Sequence, residues 1–576
     1  METAKVRIAM ETAVYALSRS ATRHISIAPE VDALYWGRRG ETTMLLETFS
    51  SVGQAFRYAR SSAKASGIRP LTSPAESLWV HWEKVASSLR PLLAGRSLLW
   101  DEVKELVRGM AEPMEDRELR AALQVMSLTG TAILVPGVEI PPAVSRWRCN
   151  RCGAGPEGLF RSRCRRCGRA CVSCDRCIVL GRSRACTPLF FFPAGGRNGE
   201  GRRSVDLRLP PLTEGQRWVS ERCLEAVRSG ERFFLTWAVT GSGKTEAVLP
   251  AVREVLGGGG RVLWVSPRRD VVEELAPRLQ RAFPDTPVSV LHGETGWIRT
   301  ISPLTVATAH QAWRFYRCFH LVVVDEGDAF PLEGDPQLRS GLARAMAEGG
   351  TTLWLTATPP ADWRRRLMRR RMPGVILPVR HHGLPLPEPR LFRRWGLWFS
   401  LDRGRPLPPV TAFLDRVVST GGQGLLFVPR VADVDRLLSW IKGRHPDRFG
   451  ECRGMSGRDG GRKATLEELR KGKIRFLITT TVLERGITLP RCHVLVVGAD
   501  HPVFDAPTLV QIAGRVGRSA DYRSGEVWFV SAERTEGQLQ AVREIRWMNR
   551  MARRRGWLKE GRGSASVSRT TDRMQR

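Results

Sequence analysis

Residues 237–245, WAVTGSGKT, combine the side chains and backbone that a polyphosphate needs. Gly241, Ser242 and Gly243 offer N–H groups that can converge on an anion, helped by the positive end of the helix expected to follow. In such a loop Lys244 neutralises the β and γ phosphates and the Thr245 hydroxyl holds Mg²⁺, with Thr240 completing the nucleotide-facing set. The first glycine of the G-x-x-x-x-G-K-[ST] spacing is replaced by Ala238, a small residue that reads as a variant of the loop. Eighty-one residues after Lys244, an apolar run ends in Asp325-Glu326-Gly327-Asp328. Asp325 suits Mg²⁺ held through water, and Glu326 suits the orientation and deprotonation of an attacking water. Thr356-Ala357-Thr358-Pro359 ends another apolar run and can hydrogen-bond the acidic motif. In Gln511–Arg518, QIAGRVGR, Arg515 and Arg518 are three apart on what reads as a helical segment and so share a face. They suit arginine fingers on a γ-phosphate. Lys244, Asp325, Glu326, Arg515 and Arg518 are the catalytic candidates.

These residues need a scaffold that presents strand ends. Apolar strand-like runs recur at Phe233–Val239, Arg261–Val265, Thr305–Thr308, Leu321–Val324 and Thr351–Thr356, alternating with helical patterns. Near-continuous apolar strands fit a parallel sheet covered on both faces, and such sheets place ligand-facing carboxylates at strand ends. A second α/β pattern follows, with strands at Gly424–Val428, Arg475–Thr479, Val494–Val497 and Glu526–Val530. The expected class is α/β, with two parallel-sheet lobes over 206–380 and 390–535. Ahead of them lie an N-terminal α+β region of unreadable role (1–145), a Cys-rich module (146–190) and a Gly/Arg-rich linker (191–205). Asp116–Met126 reads as an amphipathic helix and Thr131–Ile140 as an extended pair broken at Pro136–Gly137. A basic tail, 536–576, is expected to be partly disordered on composition.

The 91 Lys and Arg against 58 Asp and Glu leave a net charge of +33, which favours an anionic polymer or an anionic lipid surface as partner. No apolar run approaches the roughly 18–20 residues that span a bilayer, and the N-terminus lacks the pattern of a secretory signal. Eight of the twelve cysteines fall in the stretch from Cys149 to Cys186, seven of them in C-x2-C spacings that suit thiolate ligation of Zn²⁺, with Cys186 beyond. An iron–sulfur cluster is the alternative reading of the same spacings.

Taken in order, these motifs resemble those of superfamily 2, DEAD-box-like helicases and translocases over residues 206–535. The resemblance implies two RecA-like lobes with ATP between them. It makes Gln216 of LTEGQ an adenine-reading glutamine, and it adds Gln511 to the nucleotide ligands. It places Pro267, Arg268 and Thr308 of the first lobe, and Arg430, Thr480 and Thr481 of the second, on nucleic-acid backbone. WAVTGSGKTE, DEGDAFP, TTTVLERGITLP and GADHPVFDAPTLVQIAGRVGRS, with a Cys-rich module ahead of the first lobe, resemble the ComFA family of competence ATPases. That family usually carries a bulkier residue at Gly327. The resemblance favours Cys149, Cys152, Cys174 and Cys177 as a shared zinc site and leaves Cys164, Cys167, Cys171 and Cys186 for a second.

The resemblance implies an ATP-, Mg²⁺- and Zn²⁺-dependent single-stranded DNA translocase that drives uptake of transforming DNA. Its partners would be single-stranded DNA and other DNA-uptake proteins, with peripheral membrane association and homo-oligomerisation among its implications. Its place would be the cytoplasm, extending to the inner face of the membrane. A replication-restart or repair helicase of the PriA type is the second reading, although there the cysteines sit within the helicase core. A zinc-dependent DNA-binding scaffold with a spent ATPase is the third, opposed by the intact catalytic set.

Overall fold

The computed structural model describes residues 10–65, 67–110, 113–195, 203–296, 298–446, 449, 451–456, 461–481, 489–518, 522 and 525–559. Residues 196–202 of the expected linker, 482–488 of the TTTVLERGIT motif and 560–576 of the tail lie outside them. The chain divides into two compact units. The first comprises Met1–Arg208, Ala226–Phe233 and Ala251–Leu353; the second comprises Leu209–Glu225, Phe234–Pro250 and Trp354–Arg576.

In the first unit, four strands lie in the order Val288–Leu291, Leu304–Thr308, Val262–Ser266, Phe319–Asp325, followed by strand Met346–Thr356, which belongs to this unit as far as Leu353. The first four pair in parallel. Val262–Ser266 is buried along its whole length, as a strand covered on both faces must be. Helix Arg269–Ala282 buries Val272, Leu275, Ala276 and Leu279, the i, i+3, i+4, i+7 stripe that seats a helix on a sheet. The N-terminal region folds as α+β. A four-stranded sheet contains antiparallel strands Thr12–Leu17, Ser20–Ser26 and Thr43–Phe49, and a helical core gathers Trp79, Trp82, Trp100, Leu123 and Phe190. Asp116–Leu128 is the expected amphipathic helix. The two extended pieces after it, Ile133–Pro136 and Val138–Glu139, do not pair with each other. The first joins Pro188–Phe191 and the second joins Arg148–Cys149. Phe190 and Phe192 are fully buried, so the chain leaves the Cys-rich segment through the core of the N-terminal region before any linker begins.

In the second unit, Phe233–Ala238 pairs in parallel with Gly374–Leu377. Six strands form a parallel sheet in the order Arg390–Arg393, Val527–Ser531, Cys492–Val497, Gln423–Phe427, Phe476–Thr479, Cys452–Met455. Gly374–Leu377, Arg390–Arg393 and Cys452–Met455 escape the sequence reading because four-residue strands give too few alternations to register. The basic segment after residue 536 begins as a long helix, Glu536–Arg554, with Ala541, Ile545 and Met548 buried. Its Trp547 ring stacks on Trp237 with centroids 5.2 Å apart. No described helix is long and apolar enough to cross a membrane.

Candidate functional site

The candidate phosphate loop, which joins strand Phe233–Ala238 to helix Lys244–Gly257, lies in the second unit. Gly241 and Gly243 have φ of 76° and 73°, a region that residues with a Cβ adopt at a cost. At Gly243 space is a second constraint, because a Cβ there would sit 2.1 Å from Gln216 Nε2. Gln216 is clamped on the loop: its Nε2 donates to the Ser242 carbonyl at 2.9 Å, and its Oε1 accepts from the Thr213 N–H at 3.0 Å. Thr245 is buried at the helix start. Among the described residues the buried Ser242 hydroxyl has no hydrogen-bond partner. An orphaned hydroxyl in a loop of backbone donors fits an oxygen-rich anionic ligand.

The arginine motif departs from its expected form. Helix Ala506–Ala513, capped by Asp505 through the Thr508 N–H at 2.9 Å, stops at Gly514. Residues 514–517 are a turn, with Gly517 at φ 64°, so Arg515 and Arg518 do not share a helix face. The two glycines break the helix and hand the arginines to a loop. Arg515 is buried and Arg518 is half-buried. Thr240 Oγ1 donates to the Gly514 carbonyl at 3.4 Å. A Cβ on Gly241 would lie 3.4 Å from Arg518 Cγ. Gln511 Nε2 donates to Thr358 Oγ1 at 3.3 Å, and the Thr358 N–H to Thr356 Oγ1 at 3.0 Å. Within this unit, then, the phosphate loop, the Thr-Ala-Thr-Pro turn and the arginine turn meet.

The residues that join them went unread in the sequence. Arg380 is fully buried and donates to the carbonyls of Val516, Gly517 and Gly514 at 2.5, 2.7 and 3.2 Å. Burial pulls its pKa down to about 9, with the Arg518 charge adding to the effect. His382 Nε2 donates to the Gly517 carbonyl at 2.9 Å. The His381 backbone N–H and its Nδ1 both reach the Gly241 carbonyl, at 3.2 and 2.9 Å. The available signal was positional: Arg380-His381-His382 follows the apolar run Gly374–Leu377, at the strand end where an α/β sheet displays its working residues.

In the first unit, Asp325 ends its strand, and Glu326 turns the chain at φ 54°. A non-glycine residue there carries a strain of about 1 kcal/mol or more, of the kind that collects at functional sites. The Glu326 N–H donates to Asp325 Oδ1 at 2.9 Å, and Asp325 and Asp328 are buried. Ser266 and Thr308 are register partners on adjacent parallel strands, so Pro267, Arg268 and Thr308 emerge side by side. Arg268 Nε lies 3.4 Å from Asp270. In the second unit Phe427 and Thr479 are likewise partners, which sets Arg430, Thr480 and Thr481 just beyond neighbouring strand ends. Arg430 is exposed and Thr480 buried.

The cysteines form two closed quartets, Cys149/Cys152/Cys174/Cys177 and Cys164/Cys167/Cys171/Cys186, each with its four sulfurs within 4.8 Å of one another. Sγ–Sγ separations are 3.6 Å for Cys149–Cys177, 3.5 Å for Cys152–Cys174 and 3.8 Å for Cys164–Cys186. A tetrahedral Zn²⁺ with bonds of about 2.3 Å requires edges of about 3.8 Å, so both quartets fit one zinc each. Neighbouring sulfhydryls hold the Cys149 thiol well below its usual range, and hydrogen bonding from Cys186 brings Cys171 down to about 6. The first quartet is tied to the surrounding fold. Between Cys149 and Cys152, the Asn150 carbonyl accepts from Arg344 at 2.7 Å, and the fully buried Arg151 pairs with Glu102 at 2.6 Å. Glu102 also lies 3.8 Å from Arg314, the last residue of the 3-10 segment that follows Thr308.

Three family models match the chain: a competence protein ComFA N-terminal domain over residues 83–191, a DEAD/DEAH box helicase over 217–367 and a helicase conserved C-terminal domain over 410–520. With the two parallel lobes, they define a nucleic-acid-dependent ATPase of helicase superfamily 2, built on RecA-like domains. Competence protein ComFA of Bacillus subtilis is 36% identical over 411 residues, 71% of this chain and 86% of that protein. Its counterpart in Streptococcus pneumoniae is 34% identical over 386 residues, 66% of this chain and 86% of that one. The chain belongs to the ComFA family. A transcription-repair-coupling factor of Bacillus subtilis is 23% identical over 328 residues, 53% of this chain but 26% of that protein.

Proposed function

We propose that this protein hydrolyses ATP to move along single-stranded DNA and that the motion draws transforming DNA into the cell. The observation that most directly supports it is the meeting of phosphate loop and arginine turn through Gly241, Arg518, Thr240 and Arg380 in one unit. An arginine seated against the loop would sense the γ-phosphate and stabilise the charge that develops as it leaves.

In this reading Lys244 neutralises the β and γ phosphates, the Thr245 hydroxyl and the Asp325 carboxylate hold Mg²⁺, and Glu326 takes the proton of the attacking water. Gln216, already bonded to the loop, reads the adenine. Arg515 and Arg518 supply positive charge to the transition state. Pro267, Arg268 and Thr308, with Arg430, Thr480 and Thr481, hold the strand by its phosphates, which makes movement indifferent to sequence. The two cysteine quartets hold zinc and stiffen the N-terminal region. Other DNA-uptake proteins at the inner face of the membrane are the expected partners.

ATPase rates measured with single-stranded DNA, duplex DNA and RNA test this. Single-stranded DNA should stimulate most, and Lys244→Ala and Glu326→Gln should abolish turnover while leaving single-stranded DNA bound. Stimulation by RNA alone, or unchanged turnover in both variants, would overturn the assignment.

A further inference from the structure

The second lobe carries two aromatic rings that its core does not use. Trp395 is 61% and Phe399 52% exposed, and Trp395 is the one exposed tryptophan among the described residues. An exposed ring is ordinary by itself. These two differ because arginines are stacked on them. The Arg393 guanidinium lies 4.1 Å from the Trp395 ring centroid, and those of Arg405 and Arg403 lie 4.9 and 5.9 Å from that of Phe399. Arg393 Nε also donates to the Ala532 carbonyl at 3.3 Å, which fixes its plane. Even with these arginines against them, both rings keep more than half of their residue surface exposed to solvent.

The segment that bears the rings is held in place. Gly396, at φ 60°, turns the chain from strand Arg390–Arg393 into helix Leu397–Asp402, whose Leu397 and Leu401 are buried. Trp398 wedges against Gly498, where an added Cβ would sit 2.5 Å from its Cζ2. Arg436 grips both Asp402 oxygens at 2.7 and 2.6 Å and lies 5.1 Å from the Trp398 ring centroid. That pair cancels the acid of the segment and leaves Arg393, Arg403 and Arg405 as exposed positive charge. The location is also telling. Arg390–Arg393 is the edge strand of the parallel sheet, so Trp395 follows a strand end as Arg430 and Thr480 do.

We propose that Trp395 and Phe399, backed by Arg393, Arg403 and Arg405, form a stacking platform for unpaired nucleobases at the edge of the second lobe. Every base has a π face, so such a platform tolerates any sequence, and adjacent guanidinium groups reach the phosphates of the same nucleotides. An acidic protein surface would engage the arginines without needing two exposed rings. The inference rests on the nucleic-acid reading above and extends the path of the strand past Arg430.

Fluorescence anisotropy with labelled oligo-dT and with an abasic strand of equal length tests it. Wild type should prefer oligo-dT, and the double variant Trp395→Ala, Phe399→Ala should lose roughly tenfold or more on oligo-dT. The abasic strand should change little, Trp395→Phe should bind nearly as wild type, and oligo-U should behave as oligo-dT because the platform reads base faces. Trp395→Ala alone stands in if the double variant melts early. Equal affinity of wild type and variant for oligo-dT, or equal losses on both strands, overturns the platform and leaves the nucleic-acid reading standing. A wild type that binds neither strand overturns both.

Discussion

A guanidinium taken out of water must satisfy its donors, and Arg380 does so on the carbonyls of Gly514, Val516 and Gly517. Those carbonyls belong to a turn that has left its helix and has no ladder of its own. Replacing Arg380 with Met keeps the bulk and removes the donors, at a cost of about 2–4 kcal/mol for the unmet groups. The expected outcome is a lower melting temperature of the second unit and at least a tenfold loss of ATPase rate, since Arg518 loses its seat by Gly241. Arg380→Lys should not restore either, because a compact ammonium cannot span three carbonyls. Melting curves and turnover of both variants check this, and recovery with Lys would show that charge alone matters.

Strand Cys492–Val497 joins structure to pH through His493. Its Nδ1 accepts from the Glu526 N–H at 3.1 Å, which leaves Nε2 to donate to Thr420 Oγ1 at 3.0 Å, a pattern open only to the neutral ring. Burial pushes its pKa down to about 4. The folded-state value lies below the ordinary 6.5, so between pH 6.5 and 4 the unfolded chain binds the extra proton. The contribution of His493 to stability is therefore complete above pH 6.5 and falls by about 1.4 kcal/mol per pH unit below it, down to pH 4. Wild type should lose melting temperature steeply across that window. His493→Gln should be less stable at neutral pH and flatter in acid, and parallel curves for the two would exclude this group as the cause. The Cys149–Cys152 knuckle shows a different coupling between elements. Through Arg151, Glu102 and Arg314 it is tied to the segment that follows Thr308, so the cysteine loop and a proposed strand-binding end share one buried ion network.

For the molecule as a whole, the net charge of +33 and the two thiol quartets make separate claims. Association with single-stranded DNA should weaken steeply with salt, because the arginines displace counterions from phosphates. The quartets predict two zinc ions per chain. Metal analysis should find them, and stripping with a chelator should lower the melting temperature of the first unit, because the buried thiolates would lose the cation that cross-links and neutralises them. One zinc per chain would assign the second quartet to another role.

Much of this was legible in the residues themselves. Phosphate loop, acidic strand end and arginine motif are local signatures whose chemistry depends on residue type and short spacing, and the long apolar runs marked most strands of both lobes because burial on two faces leaves a continuous signal. The C-x2-C pairs pointed to candidate metal ligands for the same reason: both cysteines of a knuckle lie within one turn of chain. What the sequence could not determine is anything set by contacts between distant segments. That Gly514 ends the helix before Arg515, that Arg380 from another strand end holds the resulting turn, and that Pro188–Phe191 returns to pair with Ile133–Pro136 follow from packing alone. The division of eight cysteines into two quartets lies between the two: spacing alone pairs only neighbours, the family resemblance proposes the division, and the tertiary structure carries it out by bringing Cys149 to Cys177 across 28 residues.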